Sequence, residues 1–123
     1  MDFPVAYLGA IAAGLVPVPT SSQLTKDETA KMIAELAPAA VLRDPEVACA
    51  PHARQIDLAQ LQAMRQLPAC DYAMGDPDRV AYAVYTSGTS GHPRAVAHAH
   101  RAIWARQMMV EGWYDLKPSD RLL

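Results

Sequence analysis

The sequence predicts an α/β fold with alternating helices and a largely parallel sheet. Stretches with helical apolar spacing and stretches with strand-like spacing alternate along the chain. Apolar residues make up 51% of the 123 residues and charged residues 20%, a balance typical of globular proteins and unlike that of disordered, collagen-like or coiled-coil sequences. A chain of this length can bury enough apolar surface to form a core.

The charge balance argues against a nucleic acid partner. The chain has 11 Lys and Arg residues and 13 Asp and Glu residues, so its net charge is −2. Such a balance provides no basic surface for a phosphate backbone or an anionic membrane. Cys49 and Cys70 have neither the spacing of a metal site nor that of a secreted disulfide framework, so we expect reduced thiols in the cytoplasm.

The uncharged stretch from Phe3 to Leu24 does not have the features of a membrane span. Its strongly apolar part is broken by Pro17 and Pro19 and is shorter than the roughly 20 apolar residues that a span needs. A signal peptide has basic residues at its start, whereas this stretch follows Asp2. We therefore interpret it as a buried helix followed by a strand.

The first two predicted elements belong to this stretch. Small residues from Phe3 to Leu15 suit a helix that packs closely on a sheet, and Gly14 is placed to end it. Val16–Thr20 is predicted to be a short strand. Its prolines lack a backbone donor, so the strand is expected at the end or edge of a sheet.

The second helix is predicted to begin at a capping box. Thr25 can accept a hydrogen bond from the amide three residues on, while the Glu28 side chain reaches back to the amide of Thr25. The apolar face of this helix is predicted to consist of Thr29, Met32, Ile33, Leu36 and Ala37. Pro38 lies just past its end, and a strand is predicted at Ala39–Leu42.

The remaining elements are predicted from apolar spacing and turn residues. Cys49–Arg54 is predicted to be a loop. A third, amphipathic helix is indicated by Leu58, Leu61, Met64 and Leu67. After the break at Asp76–Asp78, the run Val80–Tyr85 alternates as a strand does, with one bulky and one mixed face. A helix is predicted from about His98 to Trp113, and another strand opens at Leu122.

The segment from Thr86 to Arg94 has a composition that requires a chemical explanation. Four hydroxyl residues, two glycines and one guanidinium lie between a strand and a predicted helix. Glycines allow backbone amides to approach an anion, hydroxyls donate to phosphate oxygens, and Arg94 supplies a charged fork. The spacing is not that of a Walker loop. The segment is predicted to bind a polyphosphate, and the alternative is an ordinary turn rich in Ser, Gly and Pro.

This loop resembles the phosphate-loop signature of the adenylate-forming superfamily. That signature is Tyr-Thr-Ser-Gly, two hydroxyl residues, Gly, any residue and Pro-Lys, and this chain has YTSGTSGHPR. The superfamily includes acyl-CoA synthetases, 4-coumarate and benzoate ligases, luciferases and nonribosomal adenylation domains. Further segments resemble the family in order: FPVAYLGAIAAGLVPVP, Thr25–Leu42, Asp78–Tyr82 and His100-Arg101. The resemblance covers nearly the whole chain.

Three positions depart from the family pattern. Arg94 stands where the family usually has Lys, which keeps the charge and changes the geometry and hydration of the cation. Ala95 replaces a common Gly, and Ala12 replaces a frequent Lys.

The resemblance implies a fragment of an ATP-dependent acid–CoA ligase. Such enzymes use Mg-ATP to activate a carboxylic acid as an acyl-adenylate and then transfer the acyl group to coenzyme A. The phosphate-binding residues implied by their position in the motif are Thr86, Ser87, Gly88, Thr89, Ser90, Gly91, Pro93 and Arg94. No catalytic residue and no Mg²⁺ ligand is expected within this chain.

The domain assignment implied is a partial N-terminal AMP-binding domain over residues 1–123, truncated at both ends and without the C-terminal domain. In the family, downstream segments supply the contacts to adenine, ribose, Mg²⁺ and the acyl group. We therefore expect the isolated chain to be inactive. Two alternatives stay open. One is part of an adenylation domain that loads a carrier protein. The other is a non-catalytic, truncated nucleotide-binding module whose exposed sheet edge pairs with a second copy or a partner.

A pair of histidines follows the loop with a spacing that does not suit a metal site. His98 and His100 are two residues apart, and two side chains with that spacing do not share one face of a helix. The sequence therefore predicts no metal site at this pair.

Overall fold

A computed structural model of the chain describes residues 3–69, 71–86 and 94–114, with Lys117, Ser119 and Arg121 near the end. Helices and strands are mixed along it and one strand pair is parallel, which confirms the α/β class. The elements are α1 (Phe3–Ala12), α2 (Lys26–Leu36), β1 (Val41–Arg43), β2 (Gln55–Asp57), α3 (Leu58–Met64), β3 (Val80–Thr86), β4 (Arg94–Ala99) and α4 (His100–Tyr114). Two compact units are formed. One contains the chain up to Gly9 with Pro19–Asp71, and the other contains Ala10–Val18 with the chain from Tyr72 onward.

Helix α2 of the first unit begins at the predicted capping box. The Oγ1 of Thr25 accepts from the amide of Glu28 at 3.3 Å, and the Glu28 carboxylate accepts from the amide of Thr25 at 2.8 Å. The predicted apolar face is partly buried except at Ala37, which is exposed. That part of the prediction is wrong because Ala37 is the C-cap, with a left-handed φ of 43°, and so lies beyond the helical repeat.

The capping box makes the stability of α2 depend on pH in the acid range. Hydrogen bonds from the backbone and side chain of Thr25 lower the pKa of the Glu28 carboxyl from its usual value. The stabilisation of the folded state by the Glu28 carboxylate is therefore fully present above the pKa of an unfolded glutamate, about 4.3. It is lost as the pH falls through the lowered pKa of Glu28 in the folded state. Replacing Glu28 by Gln keeps a side chain that can close the box but removes the charge. We expect this variant to lose the corresponding part of the acid dependence.

The measurement is the free energy of unfolding of the two proteins by urea across the acid range. Glu35→Gln, on the same helix and outside the box, is the control and should follow the wild type. If the free energies of unfolding of the wild type and the Glu28 variant change with pH in parallel, the charge of Glu28 has no role in the capping box.

The remainder of the first unit is a short parallel strand pair followed by a helix. Strand β1 lies close to the predicted strand and pairs with β2 in the register Val41 with Gln55 and Arg43 with Asp57. Strand β2 was not predicted, because its three residues contain a single apolar side chain. The predicted loop at residues 49–54 is confirmed, since no helix or strand forms there.

Helix α3 begins at a second capping box. The Asp57 carboxylate accepts from the amide of Gln60 at 2.8 Å, and the Gln60 side chain accepts from the amide of Asp57 at 2.9 Å. The predicted third helix is therefore confirmed, but it ends at Met64 and does not reach Leu67.

Glycine ends α1 as predicted. Gly14 has a φ of 80°, its amide donates to the Ile11 carbonyl at 3.0 Å, and the amide of Leu15 donates to the Ala10 carbonyl at 2.9 Å. These two bonds form a Schellman motif, in which a left-handed residue satisfies the last carbonyls of a helix.

No strand forms at residues 16–20, so that prediction is wrong. Pro17 and Pro19 have no N–H groups and cannot continue a hydrogen-bond ladder. Within the second unit, which contains Pro17, the Pro17 carbonyl accepts from the amide of Ala83 at 3.2 Å.

The sheet of the second unit is an antiparallel hairpin, so a largely parallel sheet describes the first unit alone among the described strands. Strands β3 and β4 pair from Val80 opposite Ala99 to Thr86 opposite Arg94. The predicted helix from about His98 begins instead at His100, because the preceding residues of β4 pair with β3. The strand predicted at Leu122 lies outside the described residues.

Burial in the described parts of the chain is confined to small residues. The buried apolar side chains there are Ala50, Ala81 and Ala83, at 4%, 0% and 8% exposure. Of the two faces predicted for β3, the one with alanines is therefore the more deeply buried. Helix α4 has no buried residue, and Trp104 and Trp113 are 67% and 79% exposed. Among the described helices, none has the length and apolar character to cross a membrane.

Candidate functional site

The two ends of the predicted phosphate loop lie side by side. Strand β3 ends at Thr86 and β4 begins at Arg94, and these two residues are partners in the hairpin register. The Oγ1 of Thr86 donates to the Arg94 carbonyl oxygen at 3.4 Å. The Arg94 side chain is exposed. Because its main chain maintains the pairing, its guanidinium is not required to hold the hairpin together.

The structure places two of the eight residues predicted to bind phosphate, Thr86 and Arg94. The other six lie outside the described residues: Ser87, Gly88, Thr89, Ser90, Gly91 and Pro93. The described residues therefore include only the first and the last residue of the predicted loop.

The loop joins two strands, whereas the sequence predicted a connection from a strand to a helix. Helix α4 starts at His100, after the whole of β4. Its first amides already have partners, because the His100 amide donates to the Arg79 carbonyl at 3.1 Å and the Arg101 amide donates to the Pro77 carbonyl at 2.9 Å. Helix N-termini often bind phosphate through such amides. Here these two amides are occupied, so they are not available to an anion.

An aromatic contact joins the two strands near the base of the hairpin. The rings of Tyr82 and His98 stack with their centroids 4.7 Å apart and an interplanar angle of 17°. The two residues are cross-strand partners on one face of the sheet, where such pairs stabilise strand association. Because His98 is part of this stack and His100 contacts Arg79, the two histidines serve different contacts.

Arg79 is a functional candidate that the sequence analysis missed. Its Nη1 donates to the Gly14 carbonyl at 3.3 Å, and its Nη2 lies 3.3 Å from the Ala73 carbonyl and 3.1 Å from the Nε2 of His100. Its Nε is buried and has no hydrogen-bond partner among the described residues. An arginine directly before a strand gives no sequence signal for such a role, since its partners come from distant parts of the chain.

An ion pair lies beside this group at the base of the hairpin. Arg101 binds the carboxylate of Asp78 with two nitrogens, and its Nη2 is 2.7 Å from Oδ2. The two side chains are 61% and 58% exposed, so water screens the pair and its contribution to stability is small. This pair therefore contributes less to the base of the hairpin than the half-buried Arg79 does.

The first unit contains a small polar depression of about 220 Å³. It is lined by Arg43, Pro45, Gln55, Asp57 and Gln60. The Asp57 and Gln60 side chains already form the cap of α3, so the depression offers few uncommitted groups to a ligand. In the parts of the chain that the structure describes, no three His, Cys, Asp or Glu residues are grouped so as to hold a metal ion.

Comparisons with known proteins all relate this chain to the same family. A family model described as AMP-binding enzyme matches residues 1–123. The 4-hydroxybenzoate–CoA/benzoate–CoA ligase of Rhodopseudomonas palustris is 34% identical over 122 residues, which covers 81% of this chain and 22% of that ligase. The long-chain-fatty-acid–CoA ligase FadD13 of Mycobacterium tuberculosis is 27% identical over 143 residues, which covers 100% of this chain and 27% of that ligase.

A solved structure agrees with these relatives. A malonyl-CoA ligase, in a ternary product complex with methylmalonyl-CoA and AMP, superposes with a TM-score of 0.80 and 26% identity over 98% of this chain and 26% of its own. The chain thus spans about a quarter of the length of the relatives it matches. Since the family model covers every residue, the chain belongs to the AMP-binding enzyme family.

Proposed function

We propose that the chain is part of the N-terminal AMP-binding domain of an adenylate-forming acid–CoA ligase, and that it holds the phosphates of ATP. The observation that carries the proposal is the pairing of Thr86 with Arg94 at the two ends of the signature loop. This pairing brings a hydroxyl and a guanidinium to the same end of one hairpin. The guanidinium is a donor to phosphate oxygens, and the Thr86 hydroxyl would become one by turning away from the Arg94 carbonyl.

The remaining phosphate donors are assigned by their places in the motif. We assign Ser87, Gly88, Thr89, Ser90 and Gly91 to the phosphates, with Pro93 shaping the turn before Arg94. Two glycines in the loop suit a close approach of backbone amides to the anion. The carboxylate of the acid substrate is a poor electrophile, and its attack on the α-phosphate builds negative charge there and on departing pyrophosphate. Preorganised donors in the loop would stabilise this charge.

The remaining parts of the reaction are assigned to the enzyme of which this chain is a part. Mg²⁺ would neutralise phosphate charge when bound, and we assign no residue of this chain to it. Coenzyme A is the acceptor named in the similar ligases, and the acyl group would pass to its thiol. The acid substrate stays unassigned, since none of the described residues forms an acyl pocket. We place the enzyme in the cytoplasm.

The test is the thermal stability of the 123-residue chain with ligands that contain or lack phosphates. A ligand that binds the native state stabilises it by about 2.7 kcal/mol at one hundred times its dissociation constant, which raises the melting temperature by roughly 10 °C. We expect Mg-ATP and magnesium triphosphate to raise the melting temperature to a similar extent, because the chain is proposed to hold the phosphates alone.

Adenosine with Mg²⁺ is the matched control and should leave the melting temperature unchanged. A chain that melts cooperatively and is stabilised by neither phosphate ligand would disprove phosphate binding. If adenosine stabilised the chain as much as ATP does, the chain would bind the nucleoside part of ATP and not its phosphates.

A further inference from the structure

At the base of the β3–β4 hairpin, an arginine side chain forms a hydrogen bond with one histidine. The Nη2 of Arg79 lies 3.1 Å from the Nε2 of His100. A guanidinium has donors and no acceptor, so the Nε2 of His100 must accept this hydrogen bond. In this contact the proton of the imidazole lies on the other ring nitrogen, Nδ1. The same guanidinium also donates to the carbonyl oxygens of Gly14 and Ala73, which holds it in place.

The side chains of β4 specify its pairing register weakly. Half of the strand consists of one-carbon side chains: Ala95, Ala97 and Ala99. The alanines share one face of β4, so a slip of the strand by two residues places alanine where alanine was and changes the packing of that face little. The register of the hairpin therefore depends on contacts outside this face.

A β-bulge at the base of the hairpin shows where the register is determined. The pairing shifts between Val80 and Tyr82, which leaves Ala81 as the extra residue of β3. Beyond the bulge a single register continues to Thr86 opposite Arg94. A slip by two residues would remove that last pairing and change the spacing of the loop ends.

We infer that Arg79 is a positioning residue: by donating to the Nε2 of His100 it fixes the register of the hairpin. In that register Arg94 lies opposite Thr86. Arg79 contacts His100 twice, since its carbonyl also accepts the His100 amide at 3.1 Å. Both contacts adjoin the bulge, which is the point where the register is chosen. The inference rests on the proposed function only for the measurement of phosphate binding.

The first test is the tautomer of His100 in the full chain. Long-range nitrogen–hydrogen NMR correlations on the chain with ¹⁵N-labelled histidine distinguish the two ring nitrogens, and the spectrum of His100→Gln identifies the His100 signals. At mildly alkaline pH we expect Nδ1 to be protonated and Nε2 to be bare. A proton on Nε2, or on both nitrogens, would overturn the inference.

The second test is the register itself, measured from NOE contacts between the cross-strand partners Val84 and Val96. We expect Arg79→Met to show a second set of contacts or none. Arg79→Lys should behave similarly, because the donors of an ammonium leave from one nitrogen and cannot span three acceptors. An unchanged single set in either variant would contradict the inference.

Rescue by a conservative variant separates positioning from bulk packing. His100→Gln keeps an acceptor near the position of Nε2 and should keep the wild-type register, whereas His100→Leu should lose it. This comparison decides the inference even if the Arg79 variants fail to fold, since equal behaviour of the two His100 variants would refute it. Arg106→Met, at an exposed position on α4, is the control and should match the wild type.

The third test links the register to the loop. We expect Arg79→Met to weaken binding of magnesium triphosphate about tenfold, the equivalent of one hydrogen bond, and His100→Gln to stay within about threefold of the wild type. Wild-type affinity in Arg79→Met would remove the link to the loop. If the wild type binds no triphosphate, the proposed function fails, and the tautomer and register measurements still decide the role of Arg79.

Discussion

Replacing Arg94 by Ala should weaken binding of Mg-ATP at least tenfold. A hydrogen bond to a charged group is worth about 1.5–3 kcal/mol, and 1.4 kcal/mol corresponds to a factor of ten in affinity. The fold should be retained, because Arg94 pairs with Thr86 through its main chain and its side chain is exposed. Isothermal titration of the wild type and the variant with Mg-ATP measures the effect.

Two further variants make this result specific. Arg94→Lys introduces the residue usual in this motif, retains the positive charge and should bind within about threefold of the wild type. Arg106→Ala removes the same charge from an exposed position on α4 and should bind as the wild type does. Equal affinity of Arg94→Ala and the wild type would show that the guanidinium does not contact the phosphates.

Replacing Gly14 by Ala should destabilise the second unit by about 2–4 kcal/mol, the sum of a left-handed conformation and disturbed hydrogen bonds. Gly14 has a φ of 80°, which an L-residue adopts at a cost of roughly 1–2 kcal/mol. A Cβ at this position would lie 2.8 Å from the Ala73 Cβ and 2.8 Å from the Nη1 of Arg79. The guanidinium would have to move, and its bond to the Gly14 carbonyl would be disturbed.

The matched control is a second glycine in the same stretch of chain. Gly9 lies inside α1, and a Cβ there would meet no atom within 4 Å. Gly9→Ala should therefore stabilise the chain by about 0.5–1 kcal/mol through helix propensity. Urea unfolding of both variants measures the two effects, and destabilisation of similar size in both would contradict the role given to the turn at Gly14.

Local signals made part of the fold predictable from the sequence. The capping box at Thr25 depends on residues three apart, and β3 depends on an alternation within seven residues, so both could be recognised without knowledge of the rest of the chain. Strand β4 was not predicted, and its last two residues, His98 and Ala99, were included in the predicted helix. Its alanines favour helices, and its pairing with β3 overrides that preference. The segment with Pro17 and Pro19 has the apolar character of a strand but lacks the donors.

The candidate site was predictable as a motif and not as a geometry. The residues from Thr86 to Arg94 were found because their composition is unusual and matches a known signature. The hairpin that brings those two ends together could not be inferred, since it depends on the strand that the sequence analysis missed. Arg79 could not be found either, because its bond to the Gly14 carbonyl spans 65 residues of the chain. Contacts of that range leave no periodic signal in a sequence.

The small size of the buried residues has a thermodynamic consequence. Unfolding exposes little new apolar surface where the buried apolar side chains of the described residues are three alanines. The heat capacity of unfolding should therefore fall below the usual value of about 1.2–1.5 kcal/mol/K per 100 residues, and the slope of stability against denaturant should be shallow. The free energy of unfolding of such a chain is small and varies little with temperature. The free energy of ligand binding therefore makes up a large share of its total stability.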